Sequence, residues 1–97
     1  MIALSDDTKD RVRRVFPGAD AARVEALLLQ RCGDTLPMVQ TSYALLAERI
    51  RFAVLKLSGG SLADLERHIS NAEKDWRDVL VAAGFGNSLE AHRKWQP

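Results

Sequence analysis

Cysteine is nearly absent: Cys32 stands alone among 97 residues. A single thiol can form no internal disulfide and no cysteine-based metal site, and a chain folded without either suits a reducing compartment. Long apolar runs are also missing. Nothing approaches the ~20 residues of a membrane span, or the apolar stretch of a signal peptide, so membrane insertion and secretion are excluded and a cytoplasmic location is expected. Charge of one sign is lacking too. Fourteen basic side chains face thirteen acidic ones, a formal charge of +1, with the two signs mixed in both halves. That balance removes any general attraction to nucleic acid or anionic lipid. There is no strand-like alternation, no internal repeat and no low-complexity segment.

What remains is 46% hydrophobic and 28% charged residues, the composition of one soluble globular domain spanning residues 1–97. Its apolar positions recur every three to four residues, which predicts an all-α fold. Ser5 is a good N-cap, with Asp6 and Asp7 in the first turn and basic residues late, so a helix is expected over about 6–16, ended by Pro17-Gly18. A second is expected from Asp20 over about 21–32, burying Val24, Leu27 and Leu28 and closed by a left-handed Gly33. A third, capped by Thr35 with Pro37 in its first turn, is expected over 36–57 on the stripe Val39, Tyr43, Leu46, Ile50, Ala53 and Leu57. Ser58-Gly59-Gly60 ends it. Ser61 to Asp64 forms a capping box for a fourth helix over 62–83, with Leu62, Leu65, Ile69, Ala72, Trp76, Val79 and Leu80 on its inner face. Gly84 supplies a left-handed C-cap and Phe85 its apolar partner. A short fifth helix over 88–95 follows an Asn87-Ser88 cap. The third and fourth helices would each be about 33 Å long and antiparallel, a hairpin on which the first two helices pack.

Two resemblances accompany this pattern. ERIRFAVLKLSGG (residues 48–60) and DWRDVLVAAGF (residues 75–85) resemble a family of small uncharacterised bacterial all-helical proteins, in the Asp75-Trp76-Arg77-Asp78 and Gly84-Phe85 elements above all. That resemblance implies a bacterial helical protein and brings no activity, substrate or cofactor. Residues 8–46 resemble CUE domains, UBA-like three-helix modules that bind ubiquitin. Val15-Phe16-Pro17 stands at the motif after the first helix, Gly33 at the glycine closing the second, and Leu45-Leu46 a few residues beyond the expected di-leucine. With valine in place of methionine and the di-leucine displaced, the resemblance implies a three-helix topology for this half rather than a ubiquitin partner.

No chemistry-bearing constellation emerges. Asp75 and Asp78 share a helix face, but Glu73 and Arg77 are spaced for an ion pair and the cluster reads as structural. His68 follows Asp64 by four, a surface pair, and neither His68 nor His92 has the spacing of a zinc site. Cys32 lacks a base and reads as a buried inert thiol. Gly59-Gly60-Ser61 has no following lysine and reads as a turn, not a phosphate loop. No enzyme, cofactor, metal or small-molecule substrate is therefore expected. The expected function is a non-enzymatic protein–protein interaction module, possible as a homodimer, because apolar side chains such as Val81 lie outside the central stripes. Its candidate surface is Phe16, Pro17, Leu45, Phe52, Leu55 and Trp95. The alternative is a small nucleic-acid-associated regulatory protein, contacting phosphates through Lys9, Arg11, Arg13 and Arg14 and aided by Arg49, Arg51 and Lys56.

Overall fold

The structure, a computed structural model, describes residues 2–36 and 44–97. Its helices are α1 (Asp6–Val15), α2 (Ala21–Arg31), α3 (Ala44–Ser58) and α4 (Leu62–Ala82), followed by a four-residue 3-10 helix, Ala91–Lys94, and no strand occurs among the described residues. The expected start of the third helix, with Pro37, Val39 and Tyr43, lies outside them. The expected fifth helix is the 3-10 turn only.

Local signals act as their chemistry requires. The Ser5 hydroxyl accepts from the Thr8 amide and caps α1, and Ser61 accepts from the Asp64 amide and caps α4. Gly59 and Gly60 take φ of 57° and 87° in the α3–α4 turn, where a side chain would be strained. At the end of α4, Gly84 takes φ of 81°, and the Phe85 amide reaches back to the Leu80 carbonyl at 2.8 Å. That bond and the buried Phe85 ring close the helix in the Schellman manner. Three expected caps are built differently. Asp20 makes no side-chain cap bond, and the Thr35 hydroxyl donates to the Gln30 carbonyl at the end of α2. Gly33 is outside the left-handed region; it is buried, and a Cβ there would sit 3.1 Å from a guanidinium nitrogen of Arg51. Glycine is needed at 33 for room, not for φ.

The fourth helix is not straight. Asp75 has extended backbone angles (φ −158°, ψ 100°) inside α4. A straight helix would carry Ala83 about 30 Å from Leu62. Yet Lys56, two residues from the end of α3, donates to the Ala83 carbonyl at 2.9 Å, so the second half of α4 folds back beside the end of α3. The Asp75 carboxylate accepts from the Arg77 amide at 3.1 Å, which makes it the N-cap of that second half. A bent helix replaces the expected 33 Å rod, and the chain fits within 34 × 25 × 23 Å.

The bend lets the fold wrap around α3, which packs against α1, the 3-10 turn and, most extensively, α4. All seven residues from Arg49 to Leu55 are buried. A stripe was expected; an all-round buried helix is what forms, and two of its members are arginines that must find acceptors in the interior. They find the ends of other helices. Arg51 donates through Nε to the carbonyls of Cys32 (2.7 Å) and Leu28 (3.3 Å), and through its Nη atoms to those of Ile2 (2.6 Å) and Ala3 (3.0 Å). Arg49 donates to the Phe85 carbonyl at 2.9 Å, beyond the end of α4 where Lys56 is also bound. Arg51 thus ties the Cys32 carbonyl at the end of α2 to carbonyls ahead of α1, while Arg49 and Lys56 bind carbonyls just past the end of α4, at the negative end of its dipole.

Cys32 closes α2 and is fully buried, and burial pushes its thiol pKa up to about 12 despite the nearby Arg51 and Arg31. The thiolate that reacts with electrophiles is therefore essentially absent at neutral pH. Native protein should take up less than about 5% of the Ellman reagent in an hour at pH 8, with full reaction in 6 M guanidinium. Stoichiometric native labelling would show that the α2 terminus opens freely.

Candidate functional site

The densest polar cluster joins the two ends of the chain across α3. Glu48 accepts at Oε2 from the Ser5 hydroxyl (2.9 Å), and its Oε1 lies 2.8 Å from Nε2 of His92 and 3.5 Å from Nε of Arg93. His92 is fully buried, edge-on to Phe52 and Phe85 with ring centroids 5.0 and 6.3 Å away. Its Nδ1 is buried without a hydrogen-bond partner among the described residues. Burial would raise the Glu48 pKa, but the hydrogen bonds from His92 and Ser5 and the charges of His92 and Arg93 outweigh it and hold the carboxyl below its ordinary range. Arg11, also buried, places its guanidinium 4.9 Å over the Phe52 ring and donates to the carbonyls of Trp95 (3.4 Å) and Arg93 (3.5 Å). Beside the cluster the described residues leave a cavity of about 320 Å³ lined by Ser5, Leu45, Glu48, Arg51 and Arg93 among others.

Hydroxyl, carboxylate and imidazole stand in a row, but the carboxylate is in the middle. The arrangement is not that of a Ser–His–carboxylate triad, in which the imidazole contacts the hydroxyl, and the Ser5 hydroxyl also caps α1. This geometry orients three chain segments relative to one another.

The structure redistributes the residues expected to form surfaces. Phe16, Phe52 and Leu55 belong to the core, the last two at 0% exposure, so they present nothing to a partner. Pro17 is exposed on the rim of a shallow pocket of about 220 Å³ formed with Val15, Gly18 and Gly60. Leu45 is half-buried, and Trp95 packs half-buried against Phe52 and Phe85. Of the expected phosphate contacts, Arg11 is buried and Arg14 pairs with Asp10 at 3.0 Å, while Lys9 is half-buried beside Glu25 and Leu29 and Arg13 is exposed. Arg49, Arg51 and Lys56 are the carbonyl clamps already described. No phosphate-binding stripe is assembled from these residues.

Other expected pairs also change partners. Glu73 is bound by Arg31 of α2 rather than by Arg77, and Arg77 pairs with Asp75 at 3.1 Å. Side-chain and backbone hydrogen bonds from Arg77 hold the Asp75 carboxyl below its ordinary range. Asp64 is engaged by Arg67 at 3.4 Å, and His68 has its pKa lowered by burial and by Arg67. His68, Asp75 and Asp78 line one notch of about 330 Å³ in the crook of α4. No group of three or more His, Cys, Asp or Glu able to hold a metal occurs among the described residues. No described helix is long and apolar enough to cross a membrane.

Sequence reasoning missed the Glu48–His92 contact because the two residues are 44 positions apart and no spacing links them. A buried histidine at the chain end has no periodic signal. No family model, no curated protein and no solved structure matches the chain.

Proposed function

We propose that the chain is a non-enzymatic protein–protein interaction module, pairing with itself or with another protein through the face formed by residues 79–89. The observation that carries this reading is a gap in the charge pattern. In a chain that is 28% charged, the eleven residues from Val79 to Leu89 contain no charged side chain. Val79, Leu80, Ala83 and Phe85 face the core, while Val81, Ala82, Gly84, Gly86 and Leu89 are exposed. Val81 at 69% and Leu89 at 53% are the large hydrophobic side chains left most open among the described residues. Depletion of charge around exposed apolar anchors is what distinguishes the centre of an interface from ordinary surface. Arg49 and Lys56 of α3 border this stretch, and both spend their charge on its main-chain carbonyls, those of Phe85, Ser88 and Ala83.

A photo-crosslinking residue at 81 or 89, expressed in cells of the source organism, should give a discrete adduct that the same residue at exposed position 67 does not. If the partner is a second copy, light scattering should show a mass near twice 10.8 kDa at about 100 μM, and Val81→Asp should return it to the monomer with unchanged helical circular dichroism. A monomer with no adduct at either position sinks the reading.

A further inference from the structure

The chain after Phe85 is attached more loosely than the body before it. Side-chain bonds to the carbonyls of Ile2, Ala3, Cys32, Ala83 and Phe85 are 2.6–3.0 Å long, with longer ones of 3.2 Å to Gln30 and 3.3 Å to Leu28. Those to Ser88, Arg93 and Trp95 are 3.4–3.5 Å, at the weak end of hydrogen bonding. The change falls between Phe85 and Ser88, at Gly86, a residue with no side chain to pack. Beyond it, the regular structure is a single 3-10 turn, and most side chains from 87 to 97 are exposed. Three of the four buried side-chain nitrogens without a partner, Nε of Arg11, Nε of Arg49 and Nδ1 of His92, lie along this same seam. Each unpartnered buried polar atom favours the arrangement in which water reaches it. One short contact runs against the trend, His92 to Glu48 at 2.8 Å.

We infer that residues 86–97 form a strap hinged at Gly86 and latched by the His92–Glu48 contact, which opens as a unit while the four-helix body stays folded. Opening withdraws His92 and Trp95 from the rings of Phe52 and Phe85 and hydrates the guanidinium groups of Arg11 and Arg49. It uncovers an aromatic floor bordered by two cations, and it leaves the α2 clamp made by Arg51 untouched. Leu89, one of the two exposed anchors of the 79–89 face, rides on the strap, so opening also takes that face apart; the test below reads the opening itself and not a partner.

Trp76 and Trp95 are the two tryptophans, one in the body and one in the strap, so fluorine labelling of both gives the probe and its internal reference. In saturation-transfer 19F NMR of the full chain carrying 5-fluorotryptophan, Trp95 should exchange with a minor state at the shift of free indole, populated at about 0.5–5%. Trp76 should show no such partner. Glu48→Gln, which keeps the side chain's shape and removes its charge, should raise the minor population at least fivefold. Absence of a minor state at Trp95, or exchange of both tryptophans at one rate, would overturn the strap. An unchanged population in Glu48→Gln would overturn the latch; if that variant does not fold, the wild-type comparison of the two tryptophans decides.

Discussion

Arg51→Met lowers the stability of the protein by about 3–5 kcal/mol, since hydrogen bonds to a charged group are worth about 1.5–3 kcal/mol each and four are lost together, offset in part by no longer burying the cation. Methionine matches much of the volume, so the loss comes from hydrogen bonding rather than from a cavity. Arg51 is 1% exposed and donates to four main-chain carbonyls. Replacing a whole buried ion pair with apolar residues is often harmless, because both partners go. Here the acceptors are backbone and stay behind. The Cys32 carbonyl is left in the interior at about 1–3 kcal/mol and that of Leu28 keeps only the Cys32 amide at 3.1 Å, while those of Ile2 and Ala3 regain water at part of the cost. At about 4–8 °C per kcal/mol for a domain of this size, the melting temperature should fall by at least 12 °C. Circular dichroism melts of wild type, Arg51→Met and Arg51→Lys test this. Lysine keeps a cation but not the planar fork, so it should recover less than half of the loss. A melting temperature within about 3 °C of wild type for Arg51→Met would show that the guanidinium is not holding the end of α2.

Phe52→Ala is expected to be comparably severe, at about 3–5 kcal/mol, and to act on the other side of α3. The ring is fully buried and touches His92 and Trp95 edge-on while carrying the Arg11 guanidinium on its face. Alanine leaves a cavity and strips a buried cation of its π partner, so both the strap and α1 lose an anchor. Two readouts separate this from Arg51→Met. Tryptophan emission in native buffer should shift to the red as Trp95 loses its neighbour, and Cys32 should stay unreactive, since the α2 end is clamped independently. Emission unchanged from wild type would mean that Trp95 is held by Phe85 alone.

The sequence carried the local chemistry well and the long-range geometry poorly, for physical reasons that differ by residue. Ser5, Ser61, Gly84 and Phe85 act within five residues of their partners, so caps and helix ends at those points were legible. The apolar stripe of α4 was legible too, because one face of it is buried: Leu65, Ile69, Ala72, Val79 and Leu80. The bend was not. Asp75 in a helical pattern looks like an exposed acid, and only a bond to an amide two residues on turns it into an internal cap. Periodicity also assigned Phe52 and Leu55 to an outer surface, since it presumes a helix with one buried side. α3 is buried on every side over Arg49–Leu55, and the arginines that break the apolar pattern there are bound to carbonyls 19 to 49 positions away. Gly33 was read as a conformational requirement, whereas its neighbour in space, Arg51, makes it a steric one. The candidate site rests on contacts 43 and 44 residues apart in sequence, which no local pattern encodes.

Arg11 and its acceptor at Trp95 are separated by 84 positions. During synthesis at about 5–20 residues per second, that interval lasts about 4–17 s, far longer than the microseconds in which a helix forms. Throughout it α1 exists without the carbonyls that will receive its buried cation, and Phe52 without the rings that will cover it. Until residues 92–95 have been made and have left the ribosome, the four helices can therefore assemble only as an unclosed intermediate. Substitutions at Trp95 or His92 should affect yield in the cell more than their cost to the finished fold would suggest.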